Sequence, residues 1–325
     1  MARPRLAFLA ILIAAVTSSR LACAAEWPDR PLRLIVPFSA GSSSDTIARI
    51  VAAKMADSLG QAVIVENRVG GSAIIGTDAV AKSAPDGYTL GLANTTSHAA
   101  SVALTPKLPF DVLKDFVPVG MIGQSPFVLV GSPNLPAATL AEFVGLAKAK
   151  PGSLSYASAG TGTLAHLAGE LFKHKAGIDV VHVSYRGTEQ STLDLMQGRI
   201  DLSVSTIAPT LQQIRGGKIK ALAVMDVHRN EMMPDVPTVA EAGVAGCEAE
   251  LWTALVVPAG VPSAVVGRLN QALNAAVRST AVQDTLRIQG VEPLPGPPEA
   301  VTAAIKADIQ KWRDIVVAAK IGEQK

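Results

Sequence analysis

LRLIVPFSAGSSSDTIARIVAAKMADSL, running from Leu32 to Leu59, is the stretch around which the 325-residue chain is organised. Leu32–Val36 is a short apolar run of the kind a strand buried on both faces requires. Pro37 ends it, and Ser39–Asp45 is small and polar around Gly41. Ile47, Ile50, Val51, Met55 and Leu59 then recur at helical spacing. Ser42 and Ser44 are both candidate N-caps, and Gly60 stands where a left-handed C-terminal cap belongs. Strand, side-chain-poor loop, helix is the reading. Such a unit aims unpaired N–H groups and a helix dipole at one spot, which suits an anion.

The same pattern returns at Ser153–Lys175: strand Leu154–Ala157, loop Ser158–Thr163, helix Leu164–Lys175. Between and beyond the two units, short apolar runs alternate with amphipathic helical segments, which predicts an α/β fold with a largely parallel sheet. Asn94–His98 reads as a polar loop after the strand Tyr88–Ala93. Val117–Val130 and Trp252–Val257 read as two crossings between lobes, a geometry that permits hinge closure. The expected lobes are 26–126 with 248–325, and 127–247.

Residues 1–25 read as a signal peptide, with Arg3 and Arg5 before the apolar Leu6–Val16 and an Ala22-Cys-Ala24 cleavage pattern. No second run of about 18 apolar residues follows. Without Arg3, Arg5 and Arg20 the 29 basic residues fall to 26 against 27 acidic ones, a net charge of −1. No basic run is interleaved with aromatics, so nucleic acid is not expected as a partner. Cys247 would be the one cysteine left after cleavage, which excludes a disulfide framework.

Catalytic readings fail on their details. Gly160, Gly162 and Ala165 match G-x-G-x-x-A, but the next strand ends in Tyr185-Arg186 rather than the acid a dinucleotide ribose needs. Neither glycine loop carries the Lys-Ser or Lys-Thr of a P-loop. Gly41-Ser-Ser-Ser-Asp45 looks like a nucleophile elbow with Asp45 in the second glycine's place, and serines that cap a helix explain it more simply. His166 and Glu170 lie one helical turn apart with no third metal ligand near, so no metal and no cofactor is expected. His98 and His166 follow polar loops at strand ends, where α/β sheets bind ligands. Small side chains in both loops let a ligand approach the main chain.

Over nearly the whole length after the leader, the chain resembles the Bug-type solute receptors of tripartite tricarboxylate transporters. The residues that carry this are Trp27-Pro-Asp-Arg-Pro31, Val65-Glu-Asn-Arg68, Ala84-Pro-Asp-Gly-Tyr-Thr-Leu90, His166-Leu-Ala-Gly-Glu-Leu-Phe172 and Asp235-Val-Pro-Thr-Val-Ala-Glu-Ala-Gly243. The resemblance implies a two-lobed type II periplasmic-binding-protein fold, with a ligand cleft between lobes joined by two crossing strands. It implies no enzyme, but an exported, periplasmic receptor that works as a monomer and delivers a small carboxylate to a membrane permease. The alternative within the class presents ligand to a sensor-kinase ectodomain, and the alternative outside it is a secreted hydrolase.

Carried over by position, the first lobe's contacts are Phe38, Ser39, Ala40, Gly41, Ser42, Ser44, Asp45, Ile74, Thr95, Thr96 and His98. The second lobe's are Ser158, Ala159, Gly160, Thr161, Gly162, Thr163, His166 and Ser205. The chain departs from the family in two places. Ala40-Gly-Ser-Ser43 replaces a run of glycines, and Ser205-Thr206 replaces an Asp-Asn pair. Without that carboxylate an amino-acid ammonium loses its partner, which favours a plain di- or tricarboxylate or an aromatic acid.

Overall fold

The structure is a computed structural model that describes residues 27–105, 107–318 and 321. The signal-peptide reading lies outside these residues. Strands β1 (Leu32–Val36), β2 (Val63–Asn67) and β3 (Thr89–Asn94) run parallel, with β1 in the middle. Helix α1 (Ser43–Leu59) joins β1 to β2, and α2 (Ile74–Ala81) joins β2 to β3. Ser42 is the N-cap of α1: its hydroxyl accepts the Asp45 N–H, while Ser44, the other candidate, is already helical. Gly60 ends α1 at φ +69°, the left-handed cap expected of it.

After β3 the chain does not loop as expected. Thr96–Ala100 is a π-helical turn that continues into the α-helical Ser101–Leu104, together α3. The cause is local: Ser97 Oγ accepts the Asn94 N–H and Asn94 Oδ1 accepts the Ser97 N–H, a closed ring that starts a helix. No apolar periodicity announces it, because every residue of the turn is small or polar and all are buried.

Strand β4 (Phe116–Gly131) is the long crossing strand. Its first part pairs with β9 (Glu250–Pro258) from Phe116↔Pro258 to Pro126↔Glu250. From Phe127 onward it pairs instead with β7 (Leu202–Thr206), and from Val128 also with β8 (Lys220–Val224). The switch therefore falls between Pro126 and Phe127. Bulges after Pro118 and Met121 let a strand with Gly120, Gly123 and two prolines stay extended. β9 returns to pair with β3, closing the first lobe.

The second lobe repeats the parallel design. β5 (Ser155–Ser158) lies between β6 (Val181–Ser184) and β7. Helices α4 (Leu140–Ala149) and α5 (Leu164–Ala176) cover one face, α6 (Thr188–Met196) and α7 (Ile207–Arg215) the other. α8 (Ser263–Arg278) and α9 (Thr280–Ile288) pack beside α1 on the first lobe, and the short β10 (Glu292–Pro293) adds to β4. The last helix, α10 (Pro298–Ala318), lies on β4 and touches both α3 and α5. Its Trp312 is fully buried in a core that also holds Phe127, Phe172 and Trp252. That core runs unbroken from one lobe to the other. Each fully buried side chain of this size contributes about 1.5–3 kcal/mol.

Candidate functional site between the lobes

In both lobes the parallel strands end at the same edge, so the loops after β1, β2 and β3 cluster, as do those after β5, β6 and β7. The two clusters meet. Ser72 Oγ donates to the Thr161 carbonyl at 3.3 Å, and the Leu164 N–H donates to Thr96 Oγ1 at 3.4 Å. Both bonds join the first lobe to the second.

The first-lobe loops are stiffened from behind. Asp45, buried in the first turn of α1, takes the Gly41 N–H on Oδ2 at 2.9 Å and the Arg49 guanidinium at 3.0 Å, while Asn67 Nδ2 donates to Oδ1 at 2.8 Å. Burial raises its pKa, but these three donors outweigh it and hold the carboxyl below its ordinary range. Asp45 thus braces the loop, where the sequence reading counts it among the ligand contacts. Asn67 also holds the Phe38 carbonyl at 3.0 Å. Phe38 and Ser42 are half-buried, Ser39, Ala40 and Gly41 exposed, and Ser44 buried within reach of Asn94. The N–H groups of Ser43 and Ser44, first in the helix, meet no acceptor among the described residues.

Gly70, Gly71, Ser72 and Ala73 all have positive φ, at 135°, 57°, 52° and 79°. Two of the four are not glycine, so the turn before α2 is strained, and it is the turn that reaches Thr161. Ile74 opens α2 half-buried behind it. Thr95 is turned to the crossing strand: its hydroxyl donates to the Glu250 carbonyl and accepts the Trp252 N–H. His98 departs from its expected place. Its ring is buried edge-on against Phe116 at 4.9 Å, Nδ1 meets Ser97 Oγ at 2.9 Å, and Nε2 has no partner. Burial depresses its pKa to about 3. The cause is the π-helical turn, which folds His98 back into the first lobe.

In the second lobe the loop uses most of its own donors, contrary to the expectation of free N–H groups. Gly160 N–H goes to Ser158 Oγ, Thr161 N–H to Ser184 Oγ, Gly162 N–H to His166 Nδ1 and Thr163 N–H to the Gly160 carbonyl. Thr163 is the N-cap of α5 and receives the His166 N–H. The Ala165 N–H meets no acceptor among the described residues. Ala159 is half-buried beside Ser158, and Ser205 is buried on β7 with its hydroxyl on the Thr206 carbonyl. His166 stacks on His182 at 4.2 Å, and His182 on Tyr156 at 4.8 Å. Tyr156 and His182 are register partners on β5 and β6, so strand pairing builds this stack. The sequence alone does not show it, because two residues 26 apart reveal nothing until the register is known.

Gly169 makes room for the stack: a Cβ there would lie 2.2 Å from the Tyr156 ring. Among the described residues there is no group of three or more metal-ligating side chains.

Two α/β lobes, two crossing strands and binding loops at the facing carboxyl edges define the class of two-lobed solute-binding proteins. The chain belongs to the tripartite tricarboxylate transporter family receptor proteins, whose family model matches residues 47–321. It is 38% identical to Protein BugT of Bordetella pertussis over 312 residues, 96% of each chain. Among solved structures it is similar to R. palustris Rpa4515 with adipate, at 32% identity and a TM-score of 0.85, covering 91% of this chain and 99% of that one. It is likewise similar to MatC from Rhodopseudomonas palustris with bound malate, at 32% identity and a TM-score of 0.82, covering 89% and 100%. The matched family is one of transporter receptors and not of enzymes.

Proposed function

We propose that the protein is exported to the periplasm, captures a small dicarboxylate or related organic acid between its lobes, and delivers it to a tripartite carboxylate permease. The observation that supports this best is the meeting of two loop clusters, each at the start of a helix, through the Ser72–Thr161 and Thr96–Leu164 contacts. A helix end is worth up to ~2 kcal/mol toward a carboxylate when partly buried. Each charge-assisted N–H bond adds ~1.5–3 kcal/mol. Ser43, Ser44 and Ala165 keep such N–H groups at the two helix starts. A micromolar complex needs about 8 kcal/mol net of ordering costs.

Adipate in Rpa4515 and malate in MatC agree with a ligand of this class. Lobes of 26–126 with 248–325 and 127–247 fit the switch of β4 partners after Pro126. No described helix is long and apolar enough to cross a membrane. A thermal-shift screen of aliphatic and aromatic acids tests the reading. A ligand at 100 times its Kd adds about 2.7 kcal/mol of stability. Stabilisation by aspartate or glutamate well beyond that by malate or adipate would instead favour an amino acid, and no shift with any acid would overturn the proposal.

A further inference from the structure

The second loop is backed by two stacked imidazoles, and one of them holds a donor the ligand would want. Gly162 N–H donates to His166 Nδ1 at 3.4 Å, which makes that nitrogen an acceptor and His166 neutral in this closed arrangement. Behind it, His182 Nε2 meets Ser158 Oγ at 2.8 Å, and the same hydroxyl accepts the Gly160 N–H. Both glycine N–H groups of the loop thus rest, directly or through one hydroxyl, on this imidazole pair.

We infer that carboxylate binding at the second loop is coupled to proton uptake by His166: the ligand takes the Gly162 N–H, and the released Nδ1 takes a proton from solvent. The inference rests on the carboxylate reading above. The exchange balances. One N–H···N bond is given up, the ligand oxygen gains that N–H, and an imidazolium forms within reach of a carboxylate that stabilises it. The cleft would then supply a positive charge only when an anion is present.

The surroundings set the direction. In the structure as it stands, burial keeps His166 below its ordinary pKa; Glu170, one turn on, opposes this and Lys173 adds to it. Glu170 is itself tied to Lys173 Nζ at 3.0 Å and to the Tyr156 hydroxyl at 2.7 Å. His182, facing from β6, is held to about 4 by burial and by the His166 ring. Two imidazoles 4.2 Å apart do not both carry charge at neutral pH, so the pair takes one proton. His166 is the member whose Nδ1 is bonded to the loop, which makes it the site of that proton.

The test is calorimetry of the whole receptor with adipate, malate and succinate above about pH 6.5, where dicarboxylates are fully ionised. In phosphate and in Tris the apparent enthalpies should differ by the heat of one buffer proton per ligand. Kd should weaken as pH rises, by up to about tenfold per unit. H166Q keeps an acceptor for Gly162 but cannot be protonated at these pH values, so its affinity should fall to that of the wild type at the high-pH end of the profile, with no buffer dependence and no further change with pH. Equal enthalpies and a flat profile in the wild-type receptor overturn the coupling while leaving the receptor function intact. So does full proton uptake in H166Q. If none of the acids binds, the functional proposal fails and the coupling falls with it.

Discussion

The Asp45 carboxylate and the Gly41 N–H lie 2.9 Å apart, and this bond closes the loop after β1 onto the first turn of α1. With Arg49 and Asn67 on the same carboxylate, one buried side chain braces the loop against the helix and against β2. D45A removes the acceptor of three donors and should cost about 2–3 kcal/mol in urea unfolding at neutral pH. Because the folded pKa is depressed, this stabilisation is complete above the unfolded carboxyl pKa and is lost as pH falls through the folded one. The gap between wild type and D45A should therefore shrink below about pH 4.

Ser72 sits at φ +52° in a left-handed run and is exposed. S72G relieves a conformation that costs an L residue about 1 kcal/mol, so the thermal midpoint should rise. The same change deletes the hydroxyl that reaches Thr161. Small-angle scattering of the free variant should accordingly show a larger radius of gyration than the wild type.

Thr161 is exposed at the second loop, with its N–H on Ser184 and its carbonyl toward Ser72. T161F should abolish acid binding while keeping the melting temperature of the free protein within a few degrees, since no core contact is touched. A variant that still binds would place the ligand away from this loop.

His98 makes stability pH-dependent. Its folded pKa of about 3 lies below the ordinary histidine value, so the unfolded chain takes up the proton first. Stability should fall as pH drops below about 6.5, at up to ~1.4 kcal/mol per unit from this residue. H98L removes that part of the slope and an unpartnered Nε2 together, and should gain roughly 2 kcal/mol over wild type near pH 5. His182 leaves a shallower residual slope.

Cys247 is a buried free thiol just before β9, and burial pushes its pKa up to about 12. Iodoacetamide at neutral pH should label it only on unfolding, with a rate that follows denaturant. Rapid labelling of the native protein would show that this end of the crossing opens on its own.

Much of this is legible in the chain before any coordinates. Helix α1 begins after Ser42 and ends at Gly60, both among the caps its sequence predicts. The crossing at Phe116–Gly131 is readable despite its prolines because Val117, Val119, Met121, Ile122 and the run Phe127–Val130 keep it mostly apolar. What escapes is whatever depends on which side chain takes which hydrogen bond, near or far in sequence. Which N–H groups of the second loop stay open is decided by Ser184, His166 and Thr96, and no local pattern names them. His98 looks like a loop residue until the Asn94–Ser97 ring turns it inward. The two-residue β10 is too short to carry a period.

The crossing strands β4 and β9 pair from Phe116 to Pro126, interrupted by two bulges, and so form a ribbon instead of two separate tethers. A hydrogen-bonded ribbon flexes easily out of its own plane and resists sliding within it. The jaws should consequently swing along a single arc, and the length of an acid would be gauged by how far along that arc they come to rest.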